Sequence, residues 1–319
     1  MSEMPILSII VPSLNEEGNI LYTTERLLEI KKELVKNGEI SDESFIFFVD
    51  DGSVDKTWKT IENCKAKYAS AVKGIKFSRN FGNQKAIIAG LFEAYKYNAD
   101  CYITIDADLQ QDETKIKEFV QKYKAGAQIV CGVRNSRDTD GLLKKISALS
   151  FYKLMNILGV NIKVNHSDYR LVSKEVVETL KTFTETNLFL RGIFNELGYK
   201  KDYVYFDVKP RKIGNTKFTP FSLFSLAVSG ITSFSLIPLR MVTFIGFFIS
   251  IVSFLIGLSA FYDKYVLHNV VAGYATTIVT LSFIGGIQIL CLGVIAEYLG
   301  QLFQEVKARP RYIIEKEIC

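Results

Sequence analysis

The chain has 319 residues, 48% of them hydrophobic, and a formal net charge of +5. That length admits one large α/β domain and a further element, and so mild a charge with no basic block excludes a nucleic-acid groove. Five cysteines (Cys64, Cys101, Cys131, Cys291, Cys319) lack Cys-x-x-Cys spacing, which fits reduced structural thiols in a cytosol-facing domain. Residues 1–5 carry no basic-then-apolar signal pattern.

Residues 6–11 form a short apolar run ended by Pro12, which predicts a buried strand. The loop Pro12-Ser13-Leu14-Asn15-Glu16-Glu17 follows, with Asn15 able to cap a helix carrying Leu21, Leu27, Leu28 and Leu34. Residues 45–49 predict a second strand, ending at Asp50-Asp51-Gly52-Ser53. There Gly52 permits a tight turn, and Ser53 or Asp55 can cap a helix to about residue 68. A third strand over 72–77 leads to the polar loop Ser78-Arg79-Asn80-Phe81-Gly82-Asn83 and a helix with Ile87, Ile88 and Leu91. Strands over 102–105 and 127–133 come next, the second ending in Arg134. This alternation predicts a mostly parallel sheet with helices on both faces.

The stretch Ile105-Asp106-Ala107-Asp108-Leu109-Gln110 organises the rest. An extended Asp-x-Asp directs both carboxylates to one side of the chain. Such a pair repels unless a cation lies between, and oxygen ligands suit Mg²⁺ or Mn²⁺ bridging to phosphates. The competing reading is that Asp106 and Asp108 cap a helix beginning near Glu113. Asp50, Asp51, Arg79, Asp106, Asp108 and Arg134 all follow predicted strand ends and would share one rim. Carboxylates with arginines suit a nucleotide diphosphate and its metal, although each arginine alone also reads as a surface ion-pair partner. No dinucleotide or P-loop glycine motif is present in the sequence.

Residues 142–158 read as an amphipathic helix and 160–164 as a short strand, so Asn165-His166-Ser167-Asp168 becomes the loop after it. Asp168 fits either an Asx-turn or a base, and His166 reads as a loop hydrogen-bonder. Residues 203–208 predict a strand, followed by a basic loop with Arg211, Lys212, Gly214 and Lys217. That loop suits either closure on phosphates or contact with anionic headgroups. Residues 219–239 are uncharged but hydroxyl-rich, which reads as interfacial helices. Residues 241–262 and 270–296 are uncharged and long enough to span a bilayer as a hairpin, with Gly285, Gly286 and Gly293 allowing close helix contact. Arg240, Lys307, Arg309 and Arg311 flank the hairpin and only Lys264 marks its loop, so the positive-inside rule places both termini in the cytoplasm.

The segments PSLNEE, VDDGSVD, SRNFGNQ and DADLQ resemble a family-2 glycosyltransferase of GT-A fold. Asp168-Tyr169-Arg170-Leu171, Phe189-Leu190-Arg191-Gly192 and Arg211-Lys212-Ile213-Gly214-Asn215-Thr216-Lys217 narrow the likeness to the polyprenyl-phosphate glycosyltransferases. These include dolichol-phosphate mannose synthase and the bactoprenol glucosyltransferases. The resemblance implies a GT-A domain over 1–217, interfacial helices over 218–239, a two-helix hairpin over 240–298 (spans about 241–262 and 272–296) and a basic tail over 299–319. It implies inverting transfer of a hexose from a nucleotide sugar, UDP-glucose foremost, to undecaprenyl phosphate. The setting would be the cytoplasmic membrane face, in a homo-oligomer serving the cell envelope.

Residue by residue, it implies that Pro12, Glu16, Asp50, Asp51, Arg79 and Asp106 bind the nucleotide sugar. Asp106, Asp108 and Gln110 would hold Mg²⁺ or Mn²⁺, and Asp168 would be the base. Arg134, Arg170, Arg211 and Lys217 would hold the acceptor phosphate. Tyr169 stands where the family carries Phe, and Asn83 where relatives often carry His. The alternatives are a processive polysaccharide synthase, disfavoured because Trp58 is the lone tryptophan and no Gln-x-x-Arg-Trp exists, and a membrane scaffold.

Overall fold

The computed structural model describes residues 4–135, 166–186, 190–209, 237–265 and 273–319. The predicted helix over 142–158, the strand over 160–164, and the basic loop with Arg211 and Lys217 lie outside the described residues, as does nearly all of the interfacial segment. The chain divides into two units, one holding the amino-terminal part together with Arg309–Cys319 and the other holding Pro220–Ala308.

The first unit is built on an eight-stranded sheet. Its strands are β1 (Leu7–Ser13), β2 (Phe45–Asp50), β3 (Val72–Phe77), β4 (Cys101–Thr104), β5 (Ile129–Arg134), β6 (His166–Ser173), β7 (Lys201–Phe206) and β8 (Ile314–Ile318). They lie in the order β7-β5-β6-β4-β1-β2-β3-β8. Strands β1, β2, β3 and β4 run parallel, and β5 pairs parallel with β7. Strands β6 and β8 run against their neighbours. The continuous Ile, Val and Phe runs of β1 and β2 are buried along their whole length, as a sheet covered on both faces requires.

The covering helices are α1 (Ile20–Lys36), α2 (Thr57–Lys67), α3 (Asn83–Ala94), α4 (Ile116–Lys124), α5 (Lys174–Thr182) and α6 (Leu190–Glu196). Helix α1 buries Ile20, Leu27, Leu28 and Leu34. Leu21, expected on that face, is 48% exposed because its neighbour Ile20 sets the buried phase. Helix α3 lies close to the sheet, since a Cβ on Gly90 would stand 2.3 Å from Ile10 Cγ2. Ile87, Ile88 and Leu91 are buried there as expected.

Two findings depart from the sequence reading. Asp168 does not lie in a loop; it lies near the start of β6. The carboxyl terminus is not a loose tail, because β8 adds to the sheet edge beside β3. Tyr312 stacks on Phe77 at 5.3 Å and donates to Glu93 at 3.2 Å, while Arg311 Nε donates to the Glu185 carbonyl at 2.8 Å. Ile314 and Ile318 are half-buried and the three charged residues between them are exposed, as suits an edge strand.

The second unit contains α7 (Ile237–Tyr265) and α8 (Tyr274–Val306). Within them Ile237–Ile256 and Phe283–Val306 are long and apolar enough to cross a membrane, with mean hydropathies of 2.2 and 1.7. The glycine expectation fails within this chain. A Cβ on Gly285, Gly286 or Gly293 would meet nothing within 4 Å, because these positions face open space and not the partner helix.

A buried charge cluster fixes where the chain leaves β7. Glu113 is 4% exposed and accepts from Arg26 Nε at 3.0 Å and from Lys209 Nζ. Burial pushes its carboxyl up, but the hydrogen bonds from Lys209 and Arg26 outweigh that and hold it below the usual glutamate range. A group lowered in this way adds stability above its unfolded pKa and loses it as pH falls. Glu113→Gln should therefore cost about 1–2 kcal/mol near neutrality, with the gap to wild type closing as pH falls through the carboxylate range in chemical denaturation. Tyr312→Ala should cost about 1–3 kcal/mol, read as a lowered midpoint in thermal unfolding, because Phe77 loses its stacked partner.

Candidate active site

The rim expected from the sequence exists, and strand direction explains it. Parallel strands β1 to β4 deliver their carboxyl ends to one edge. Because β6 is antiparallel to β4, its amino end arrives at the same edge. The register pairs Cys101 with Ser173 and Thr104 with Arg170, which brings the start of β6 beside the end of β4. The Thr104 hydroxyl reinforces this junction by donating to the main-chain carbonyls of Asp168 and Arg170.

After β4 the burial alternates. Ile105, Ala107 and Leu109 are buried, whereas Asp106, Asp108 and Gln110 are part-exposed; the chain does not stay extended here, because it turns over 107–108 and Leu109 has φ 48°. The helix-cap alternative for the two aspartates does not hold, because Asp112 fills that place and accepts from Thr114 N at 3.2 Å. Among the described residues no three His, Cys, Asp or Glu side chains cluster as a self-sufficient metal site. Two carboxylates and an amide oxygen fit a hard divalent cation that completes its shell with substrate phosphate.

The first two loops are sewn together. Asn15 N donates to Ser53 Oγ at 2.9 Å, Val54 N to Asn15 Oδ1 at 3.0 Å, and Glu16 N to Thr57 Oγ1 at 2.8 Å. Asn15 thus ties loop to loop, at φ 51°, and does not cap α1, which begins after Asn19. Glu16 accepts from Asn19 Nδ2 at 2.6 Å, and Pro12 is buried in β1 opposite Val49. Asp55 Oδ1 accepts from Thr57 N at 3.0 Å at the head of α2.

Asp50 and Asp51 do different work. Asp50 is fully buried, with Oδ1 accepting from Ser53 N at 2.8 Å and Oδ2 left without a hydrogen-bond partner. Burial pushes its carboxyl up, only partly offset by Ser53. Asp51 accepts from Phe81 N at 2.7 Å and Gly82 N at 2.9 Å, so it clamps the third loop. Gly52 is required here. Its φ is 70°, and a Cβ would stand 2.3 Å from the Arg79 carbonyl carbon.

The arginines diverge. Arg79 is exposed, with its guanidinium 4.1 Å over the Phe81 ring. Arg134 is part-exposed, with Nε buried and without a hydrogen-bond partner. Arg170 is 4% exposed, lies 4.2 Å over Phe194, and has Nε and Nη2 without hydrogen-bond partners. It lines a small pocket together with Asp168, Thr104, Ile87 and Leu190. Arg211 and Lys217 lie outside the described residues. Tyr169 is buried between Phe119 and Phe206, and its hydroxyl donates to the Asp112 carbonyl at 3.2 Å. A Phe would fill the same space without that bond.

Sequence reasoning missed Gln111, buried and bonded to Asp106, and Lys209, whose N–H donates to the Gln110 carbonyl at 2.8 Å. The doubled glutamine after Asp-Leu was the available signal for the first; nothing in the sequence marked the second.

The glycosyl transferase family 2 sequence model matches residues 8–181, and that of the GtrB C-terminal hairpin matches residues 237–302. The uncharacterized glycosyltransferase YkoT of Bacillus subtilis is 44% identical over 316 residues, covering 98% of this chain and 92% of its own. The SfII prophage-derived bactoprenol glucosyl transferase of Shigella flexneri is 40% identical over 311 residues, covering 97% of both. Among solved structures, the mannosyltransferase PcManGT of Pyrobaculum calidifontis, in complex with GDP-Man and Mn²⁺, aligns with 97% of this chain and 89% of its own at 14% identity and a TM-score of 0.48. With the enzyme domain matched over more than half its length and relatives matched end to end, the chain belongs to glycosyl transferase family 2 and is a glycosyltransferase of GT-A fold.

Proposed function

We propose that this enzyme moves glucose from UDP-glucose to undecaprenyl phosphate, with inversion, at the cytoplasmic face of the membrane, for use in cell-envelope glycans or lipids. The full-length likeness to bactoprenol glucosyl transferases supports the acceptor and the sugar. One observation carries the site assignment: the start of antiparallel β6, which holds Asp168, lies at the edge where the end of β4 leads into Asp106.

In this reading the orphaned Asp50 Oδ2 accepts an N–H from the nucleotide base, since a buried acceptor without a partner favours a ligand donor. Pro12, Glu16, Asp51 and Arg79 shape the rest of the nucleotide cradle. Asp106, Asp108 and Gln110 hold Mg²⁺ or Mn²⁺, which when bound neutralises charge on the departing diphosphate. Asp168 orients or deprotonates the attacking phosphate oxygen, and Arg134, Arg170, Arg211 and Lys217 balance the acceptor charge. A phosphate already ionised near neutrality needs little deprotonation, so placement of the attacking oxygen outweighs base strength.

Strand connectivity supports the topology. The chain leaves the catalytic sheet after β7 and rejoins it at β8, so an even number of crossings must lie between. Two spanning helices satisfy that parity, and a third span within 210–236 would break it. The same parity keeps Arg240, Lys307 and Arg309 on the side of the sheet, as the positive-inside rule asks.

Purified enzyme given radiolabelled UDP-glucose, undecaprenyl phosphate and Mn²⁺ should yield a lipid-extractable labelled product. Asp168→Asn and Asp106→Ala should each lower the rate by about 10²–10⁴-fold. Undiminished product from both variants would overturn the site assignment, and preference for another nucleotide sugar would overturn the donor. Asp50→Ala should weaken UDP binding by about tenfold or more in calorimetry, with little change in the metal requirement.

A further inference from the structure

Gln111 has no part in the chemistry above, yet it is buried to 3% exposure directly behind the rim. Leu109 adopts a left-handed conformation at φ 48°, and its N–H donates to the Asp106 carbonyl at 3.1 Å. After that turn Gln110 stays part-exposed while Gln111 folds inward. Its carboxamide is then wholly engaged. Oε1 accepts from the Asp106 N–H at 3.1 Å, and Nε2 donates to Asp106 Oδ2 at 2.7 Å and to Ser167 Oγ at 3.3 Å. Ser167 is buried too, and its Oγ also accepts from Tyr169 N at 3.2 Å.

One side chain thus grips both the main chain and the carboxylate of Asp106, and reaches the residue immediately before Asp168. A carboxamide suits this place because it offers an acceptor for the N–H and two donors for the oxygens. A carboxylate would lack the donors, and a shorter Asn would not span the same distance. The backbone ladder between β4 and β6 stops at Thr104 and Arg170, and beyond it this side chain links Asp106 to Ser167, next to Asp168.

We propose that Gln111 is a positioning residue, a brace that fixes the Asp106 carboxylate for the divalent cation and holds it in register with Asp168. The inference rests on the role given to Asp106 under the proposed function. Partners that orient a metal-binding group commonly change metal affinity by about 10–100-fold when removed.

The test uses the detergent-solubilised full chain and Mn²⁺ with UDP, following free Mn²⁺ by electron paramagnetic resonance alongside thermal unfolding and kinetics. Gln111→Met keeps the length and volume but removes every hydrogen bond. It should weaken Mn²⁺ binding at least about tenfold and lower kcat more than it changes the KM for UDP-glucose. Ser167→Ala spares both Gln111 bonds to Asp106 and removes the second arm together with the acceptor for Tyr169 N, so it should lower kcat while Mn²⁺ binding stays at the wild-type level. Wild-type Mn²⁺ affinity and kcat in a folded Gln111→Met protein would overturn the inference while leaving the assignment of Asp106 standing. Should Gln111→Met not fold, an unchanged kcat in Ser167→Ala overturns it instead. Failure of the wild-type protein to take up Mn²⁺ with UDP would overturn the assignment of Asp106 itself.

Discussion

A single reversed strand sets the geometry of this enzyme. In a wholly parallel sheet each strand offers only its carboxyl end to the ligand crevice, so all rim residues come from βα loops. Strand β6 enters between β4 and β5 in the opposite sense and contributes its beginning instead. Asp168 is thereby carried near the start of a strand whose later residues pair on both sides, and not by a loop. Side chains alternate along it, so Tyr169 and Leu171 enter the core while Asp168 and Arg170 take the other face. The packing of Tyr169 against Phe119 and Phe206 makes that facing hard to reverse, because a one-residue slip would bury the carboxylate.

The remaining loops depend on that frame and on one another. Asn15 and Ser53 join the first to the second, Asp51 and Gly52 join the second to the third, and Lys209 joins the exit from β7 to the stretch after β4. Asn15 and Leu109 hold left-handed conformations that L side chains adopt at some cost, and both sit at these junctions. The cradle that results is nearly self-satisfied, which makes its exceptions informative. Asp50 Oδ2 and the Arg134 and Arg170 nitrogens are the buried polar atoms near the rim without hydrogen-bond partners among the described residues.

Much of this was legible in the sequence. The strand–helix alternation, the rim of acidic residues and the apolar pair of helices follow from periodicity and from where charge falls. What periodicity could not convey was strand direction. Nor does it place the strand His166–Ser173, whose polar start, with the apolar run over 160–164 before it, reads as the loop after a strand and so puts Asp168 in a loop. The edge strand Ile314–Ile318 hid for a different reason: three of its five residues are charged, which suits an edge strand but resembles a tail. Asn15 looked like a cap because caps and loop-to-loop ties use the same side-chain chemistry. Gln111 was invisible because burial of a polar residue depends on a turn, at Leu109, that its sequence does not favour.

The position of β8 has a bearing on how the protein is made. The edge of β3 stays bare while α7 and α8 are synthesised, since the strand that covers it is encoded after both. An exposed edge of that kind is prone to pairing with other chains. Completion of the sheet therefore waits on synthesis of the two long apolar helices, and a nascent chain arrested before β8 would carry an open sheet edge.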